Sequence, residues 1–202
     1  MRRIVLSFLL LCALLFGFEI ELIGVYFSPK GGCTEAVVGQ IQQARQEIKV
    51  MIYSFTSEPI ANALLEAFHR GVKVEIVVDE GNDRSRYSQT PLLRRAGIPV
   101  YVDAKESIHH NKVIIIDREI VITGSFNFSK AAEQTNAENL VILKSPQLAT
   151  IYLENYELHK AHSYYSSEEP INVDETESAT STEYATPTVI QQSLLRRNFE
   201  ES

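Results

Sequence analysis

The chain has 202 residues, 45% of them hydrophobic, which suits one domain with a substantial core and segments to spare at each end. A net charge of −7 at pH 7 argues against the broadly basic surface of a tight duplex binder. Only two cysteines are present, Cys12 and Cys33, so a disulfide-framed scaffold is excluded.

Met1-Arg2-Arg3 precedes an apolar stretch over 4–16, which has the length of a secretory h-region and is short for a membrane span. Residues 1–18 are therefore expected to be a signal peptide or an N-terminal membrane anchor. Leu15 and Gly17 make only a fair cleavage site, and Leu11 before Cys12 is a poor match to a lipoprotein acceptor. Removal of this segment leaves Cys33 alone, read as a small packed residue with no catalytic role.

From residue 19 to 165 strand and helix patterns alternate. Strands are expected at 20–27, 48–54, 74–79 and 100–103. Helices are expected from Thr34 as cap to Glu47, at 59–69 closed by Gly71, at 92–96 stopped by Gly97, and at 146–165. This order predicts an α/β fold, an αβα layered sandwich whose sheet is mixed because a hairpin interrupts the alternation. Residues 166–202 carry eight acidic side chains against two basic ones, with many Ser and Thr, the composition of a mobile tail. A short docking helix over 189–195 is the alternative reading of its end.

The densest chemical signal is His110-Asn111-Lys112, then Asp117, then Gly124-Ser125-Phe126-Asn127, reading H-x-K-x4-D-x6-G-S-x-N and occurring once. Strand side chains two apart share a face, so His110 and Lys112 stand together at the mouth of the apolar run 113–116. Asp117-Arg118-Glu119 is a polar break, and the run 120–123 completes a hairpin that returns Ser125 and Asn127 toward His110. An ammonium, a hydroxyl and a carboxamide around one imidazole suit an oxyanion such as phosphate, with Lys112, Ser125 and Asn127 as phosphate-binding groups. An imidazole of ordinary pKa, about 6.5, can attack phosphorus, so nucleophilic phosphoryl transfer is the leading reaction class. Asp117, at odd parity and beyond the strand, is expected to hold the turn together with the structural Gly124.

These residues resemble the HKD signature of the phospholipase D superfamily. In that family two such motifs meet in one active site, where one His attacks a phosphodiester and the other protonates the leaving oxygen without a metal ion. None of His69, His109, His159 and His162 begins a second H-x-K, so the resemblance implies that a second subunit supplies the second motif, making a homodimer. Within the superfamily the chain is similar to the small, single-motif, exported Nuc-type endonucleases of the NucT kind. By the same resemblance Glu138 is the acid that hydrogen-bonds the catalytic His and fixes its tautomer. His109, on the opposite strand face, is read as structural or substrate-adjacent.

Residues 19–165 hold fifteen Lys and Arg against eighteen Asp and Glu, which does not favour a nucleic-acid partner globally. Locally, Arg84, Arg86, Arg94, Arg95 and Lys105, with Tyr87 and Tyr101 among them, are a candidate groove for one strand, with a solvated basic patch as the equal alternative. No H-E-x-x-H or Asp array appears, so no metal and no cofactor are expected. The expected function is an exported, metal-independent endonuclease cleaving DNA, single strands favoured, or RNA. A phospholipase D-type lipid phosphodiesterase with membrane association through the N-terminus is the runner-up, and a non-catalytic binding module the third reading. Periplasmic, membrane-associated and secreted locations remain open.

Overall fold

Apolar runs buried on both sides set the middle of the sheet. In the computed structural model, which describes residues 19–166, Val113–Ile116 and Val121–Ile122 are all nearly inaccessible. The expected export segment 1–18 and the acidic tail beyond 166 lie outside the described residues. The elements are β1 (Glu21–Ser28), α1 (Cys33–Gln43), β2 (Glu47–Ile52), α2 (Glu58–His69), β3 (Lys73–Asp79), α3 (Glu80–Asp83), α4 (Thr90–Arg95) and β4 (Val100–Asp103). They continue with β5 (Lys112–Ile116), β6 (Ile120–Gly124), α5 (Lys130–Gln134), β7 (Glu138–Lys144), α6 (Pro146–His162) and β8 (Tyr164–Tyr165).

The described strands form one sheet in the order β1-β7-β6-β5-β2-β3-β4-β8. β2, β3 and β4 run parallel, joined by helical crossovers, while every other pair is antiparallel, so the sheet is mixed as expected. Alternating side chains serve two cores. Ile48, Val50 and Ile52 of β2 face α1 and α2, whereas Met51 belongs with Val77, Val113 and Tyr156 of α6. Helices on both faces make the αβα sandwich. Among the described residues no helix is long and apolar enough to cross a membrane.

Among the boundaries that differ from expectation, three have a local reason. α1 starts at Cys33 after Gly32 in the left-handed region, and its first amides are capped by buried Glu133, which accepts from Gly32 N at 3.1 Å and Thr34 N at 2.8 Å. Thr34 is therefore not the cap. α1 ends at Gln43 rather than Glu47 because the amides of Arg45, Gln46 and Glu47 are taken by the Asp117 carboxylate at 2.8–3.0 Å. The last helix stops at His162, and Tyr164–Tyr165 instead add an edge strand to β4, with Tyr165 opposite Tyr101. α3 and α5, of four and five residues, are too short for periodicity to show.

The face under α6 holds a charged cluster. Glu75 of β3 accepts from Lys49 at 3.0 Å, Lys160 at 2.6 Å and the Tyr156 hydroxyl at 3.1 Å. Burial pushes its carboxyl up, but the Lys160 and Lys49 ammoniums overcome this and hold it below the ordinary value. A depressed carboxylate stabilises the fold above the unfolded pKa, near 4.3, and that stability is lost as pH falls through the lower folded value. Glu75→Gln, which leaves buried Lys49 without its carboxylate, is expected to cost about 1–3 kcal/mol at pH 7. The cost should shrink in thermal melts taken below pH 4, and a cost that is independent of pH would remove the ion cluster as its cause.

Candidate active site

β5 lies antiparallel to β2 with Lys112 opposite Ile52, and the ladder continues through Tyr53 N donating to Asn111 O at 2.9 Å. This carries His110, two residues ahead of β5, over Tyr53, with ring centroids 4.6 Å apart. The His110 side chain is exposed, while Lys112 is buried at 7% exposure. Lys112 Nζ donates to the His110 carbonyl at 2.8 Å and sits 5.0 Å from the Tyr53 ring centroid. One of its three donors is thus used in holding the segment, and the others remain for an anion. Burial pushes the Lys112 ammonium down from its ordinary value, and the negative charge of Glu138 opposes that shift.

The β5–β6 turn delivers the second half of the motif. Asp117 and Arg118 have φ of 52° and 59°, and Glu119 N donates to Ile116 O at 3.0 Å, a two-residue turn of the primed kind that matches the strand twist. Asp117 lies at the far end of β5 from Lys112, roughly 16 Å away at the usual rise for five residues. Its carboxylate holds the α1–β2 connection and is remote from His110. At the near end Gly124 has φ 151°, and a Cβ there would meet Asn139 O at 2.2 Å, so only glycine lets β6 finish against β7.

Beyond Gly124 the chain is pinned by two buried rings, Phe126 and Phe128, at 0% and 1% exposure, the latter also donating its amide to Ser54 O at 3.1 Å. Asn127 between them is held rigidly, and its buried Oδ1 has no hydrogen-bond partner. An orphaned buried amide is costly unless something completes it, and a protonated group or water on a bound ligand would do so.

Ser125 departs from expectation. Its hydroxyl donates to Glu138 Oε2 at 2.6 Å and accepts from Asn139 N at 3.1 Å, so its proton is committed to the carboxylate and is not offered to phosphate. Glu138 departs too: besides Ser125 it accepts from Asn136 Nδ2 at 3.2 Å, and within one chain none of its hydrogen bonds reaches His110. β7 begins at Glu138 opposite Ser28 of β1, next to the end of β6.

The expected basic groove does not form as a unit. Arg94 is 6% exposed and locked to Asp83 at 2.6 Å, a structural ion pair, and Tyr101 lies on the α6 face beneath Lys160. Arg84 pairs with Glu80 at 2.8 Å, Arg86 stacks on Tyr87 at 4.6 Å, and Arg95 and Lys105 are exposed. Residue count along a loop could not show which cations point inward. Sequence reasoning also missed Tyr53, whose only signal was its place at the end of an apolar strand.

His109 is fully buried, its amide donating to Asp79 Oδ2 at 3.0 Å and its Nδ1 lying 2.9 Å from Asp103 Oδ2. That anchorage sets the position of the next residue, His110. An open imidazole so anchored, beside a buried ammonium, provides a nucleophile and a fixed positive charge, which phosphoryl transfer requires.

Relationships with known proteins define the class. Residues 37–159 match the family described as "Cardiolipin synthase, PLD-like domain", and the chain belongs to this family of phospholipase D-like proteins. It is a phospholipase D-superfamily phosphodiesterase, a hydrolase of phosphodiester bonds. A Rickettsia felis protein named Phospholipase D is 45% identical over 135 residues, 67% of this chain and 68% of the relative. Mitochondrial cardiolipin hydrolase of Mus musculus is 33% identical over 114 residues, 56% of this chain and about half (52%) of that protein. Among solved structures, Nuc from Salmonella typhimurium superposes with a TM-score of 0.70 at 38% identity, covering 74% of this chain and all (100%) of Nuc. NucT from Helicobacter pylori gives 0.66 at 27% identity, covering 73% of this chain and 100% of NucT.

Proposed function

We propose that the protein is an exported endonuclease that cleaves nucleic acid, DNA with single strands favoured, through a phosphohistidine formed on His110 in a site shared by two subunits. The observation that carries this reading is that His110 stands open at the sheet end with no second imidazole in its own chain to act as acid: His109, His159 and His162 gather around Asp103, and His69 is exposed on α2. In the proposed mechanism His110 attacks phosphorus, Lys112 and the Asn127 amide hold non-bridging oxygens, and the partner's His110 gives its proton to the leaving sugar oxygen and then activates water. Glu138 accepts from Ser125, and its negative charge acts on Lys112. Charge and proton transfer are supplied by side chains, so the reaction proceeds without a metal ion at the reacting phosphate.

Dimerisation through the site is supported by an uncovered apolar strip. Ile23, Val25 and Phe27 alternate along one face of edge strand β1 at 39%, 47% and 64% exposure, and the strand ends where Ser28 Oγ accepts the Glu138 amide at 3.1 Å. The nucleic-acid substrate is supported by the likeness to Nuc, whose whole length this chain spans, and by the exposed Arg86–Tyr87 stack as a platform for a base. Export, to the periplasm, a membrane surface or the medium, rests on the character of residues 1–18.

A lipid phosphodiester is the second reading, favoured by exposed Ile108, two residues before His110, and by the names of the Rickettsia and mouse relatives. The two separate in one experiment. Purified protein in excess EDTA is expected to cut single-stranded DNA faster than duplex DNA or RNA and to leave anionic phospholipid vesicles intact. Hydrolysis of the lipid alone would replace the nuclease with the lipid enzyme.

A further inference from the structure

We propose that the chain carries a second site, chemically separate from the phosphodiesterase centre: a zinc-type transition-metal site formed by Asp103, His109, His159 and His162. Three elements build it. β4 ends at Asp103, the loop after it returns at His109, and α6 presents His159 and His162 three residues apart, hence on one face.

Three imidazole nitrogens converge on a single atom, Asp103 Oδ2: His159 Nδ1 at 2.8 Å, His109 Nδ1 at 2.9 Å and His162 Nε2 at 3.2 Å. A carboxylate oxygen has two lone pairs, so three N–H donors oversubscribe it, and Oδ1 already accepts the Lys105 amide at 3.1 Å. The rings fan out nearly perpendicular, at 81° between His109 and His159 and 78° between His159 and His162. This is the disposition of ligands around a centre more than of hydrogen bonds to one oxygen. The ligand atoms of Asp103, His109 and His159 lie within 4.8 Å of one another, and so do those of Glu106, His159 and His162. Zinc bonds of about 2.0–2.1 Å place tetrahedral ligands roughly 3.3 Å apart, so the three nitrogen-to-Oδ2 spacings of 2.8, 2.9 and 3.2 Å need to open by only a few tenths of an ångström.

The donor set selects the metal. Imidazole nitrogens with one carboxylate suit zinc(II) and cobalt(II), whereas calcium and magnesium demand oxygen ligands. On binding, the metal takes the place of the ring protons directed at Oδ2, and each neutral imidazole shifts its one proton to its other nitrogen. Glu106, 3.9 Å from His162 Nε2 and exposed, stands at the mouth as an entry or replacement ligand. The ion would clamp α6 and β4 to the residue next to His110, so its role is positional and stabilising.

The test uses the full-length chain in mild detergent, stripped by chelation and titrated with cobalt(II), then zinc(II). Expected are one cobalt per chain with the intense visible bands of a tetrahedral site, displacement by zinc, and a zinc-dependent rise in Tm. His159→Ala and His162→Gln should lose the bands, while His69→Ala and His110→Ala keep them. No tetrahedral spectrum in the wild type, or bands that persist in the double His159→Ala, His162→Gln variant, would overturn the proposal. Should the variants fail to fold by circular dichroism, the wild-type spectrum and stoichiometry decide alone. None of these readouts depends on hydrolysis, so failure here leaves the phosphohistidine mechanism standing, and the converse holds.

Discussion

His110→Ala is expected to abolish phosphodiester hydrolysis, by more than about four orders of magnitude, while leaving the fold intact. Removing a nucleophile eliminates the covalent route altogether, whereas losing only acid or base assistance costs on the order of a hundredfold to ten-thousandfold. In a twofold site the substitution removes both groups at once. The fold should survive because the ring is exposed and its packing is limited to the face of Tyr53, while the segment is anchored by His109 and by the Lys112 bond to a carbonyl that alanine retains. Tm within a degree or two of wild type, with no product in a single-turnover assay, is the result that fits. A variant that turns over at near-native rates would move the nucleophile elsewhere.

Mixing inactive His110→Ala with wild type should poison the wild-type chains. If each site needs His110 from both subunits, a mixed dimer has no complete site, and activity depends on the square of the wild-type fraction. Equal amounts, left to exchange, should retain roughly a quarter of the dimeric activity of undiluted wild type, against roughly a half if each chain works alone. The measurement is initial rate at fixed total protein after exchange has finished. A linear dependence, with exchange confirmed by mass spectrometry of tagged chains, would place a whole active site within one chain. Phe27 and its neighbours on β1 bear on the same question, since an exposed ring at the end of an edge strand beside Glu138 has much to gain from being covered.

How much of this was legible in advance differs from residue to residue. The layer order and the hairpin were readable because strand and helix periods are local, and a doubly buried strand such as β5 announces itself as an unbroken run. Proximity of His110 to Lys112 was readable for the same reason, two positions on one extended segment. Partners from distant segments were not. Ser125 looked like a phosphate donor until β7 set Glu138 against its hydroxyl thirteen residues away. Arg94 looked like a groove cation until Asp83 proved to be beside it, eleven residues back, in the interior. Tyr53 could be assigned to a strand end but not to a neighbour, since strand order β5-β2 is a tertiary fact.

The histidines make the division plain. By itself the chain determined that one H-x-K exists, where it sits on a strand, and that the other four histidines do not repeat it, because motif, spacing and parity are properties of consecutive residues. Only the tertiary structure decided that three of those four meet at Asp103, across separations of six, fifty-six and fifty-nine residues. It likewise decided that Glu138 accepts from Ser125. Contacts of that range are set by sheet order and by which helix covers which face, and those are chosen by burial of the whole apolar surface at once, not by any local run of the sequence.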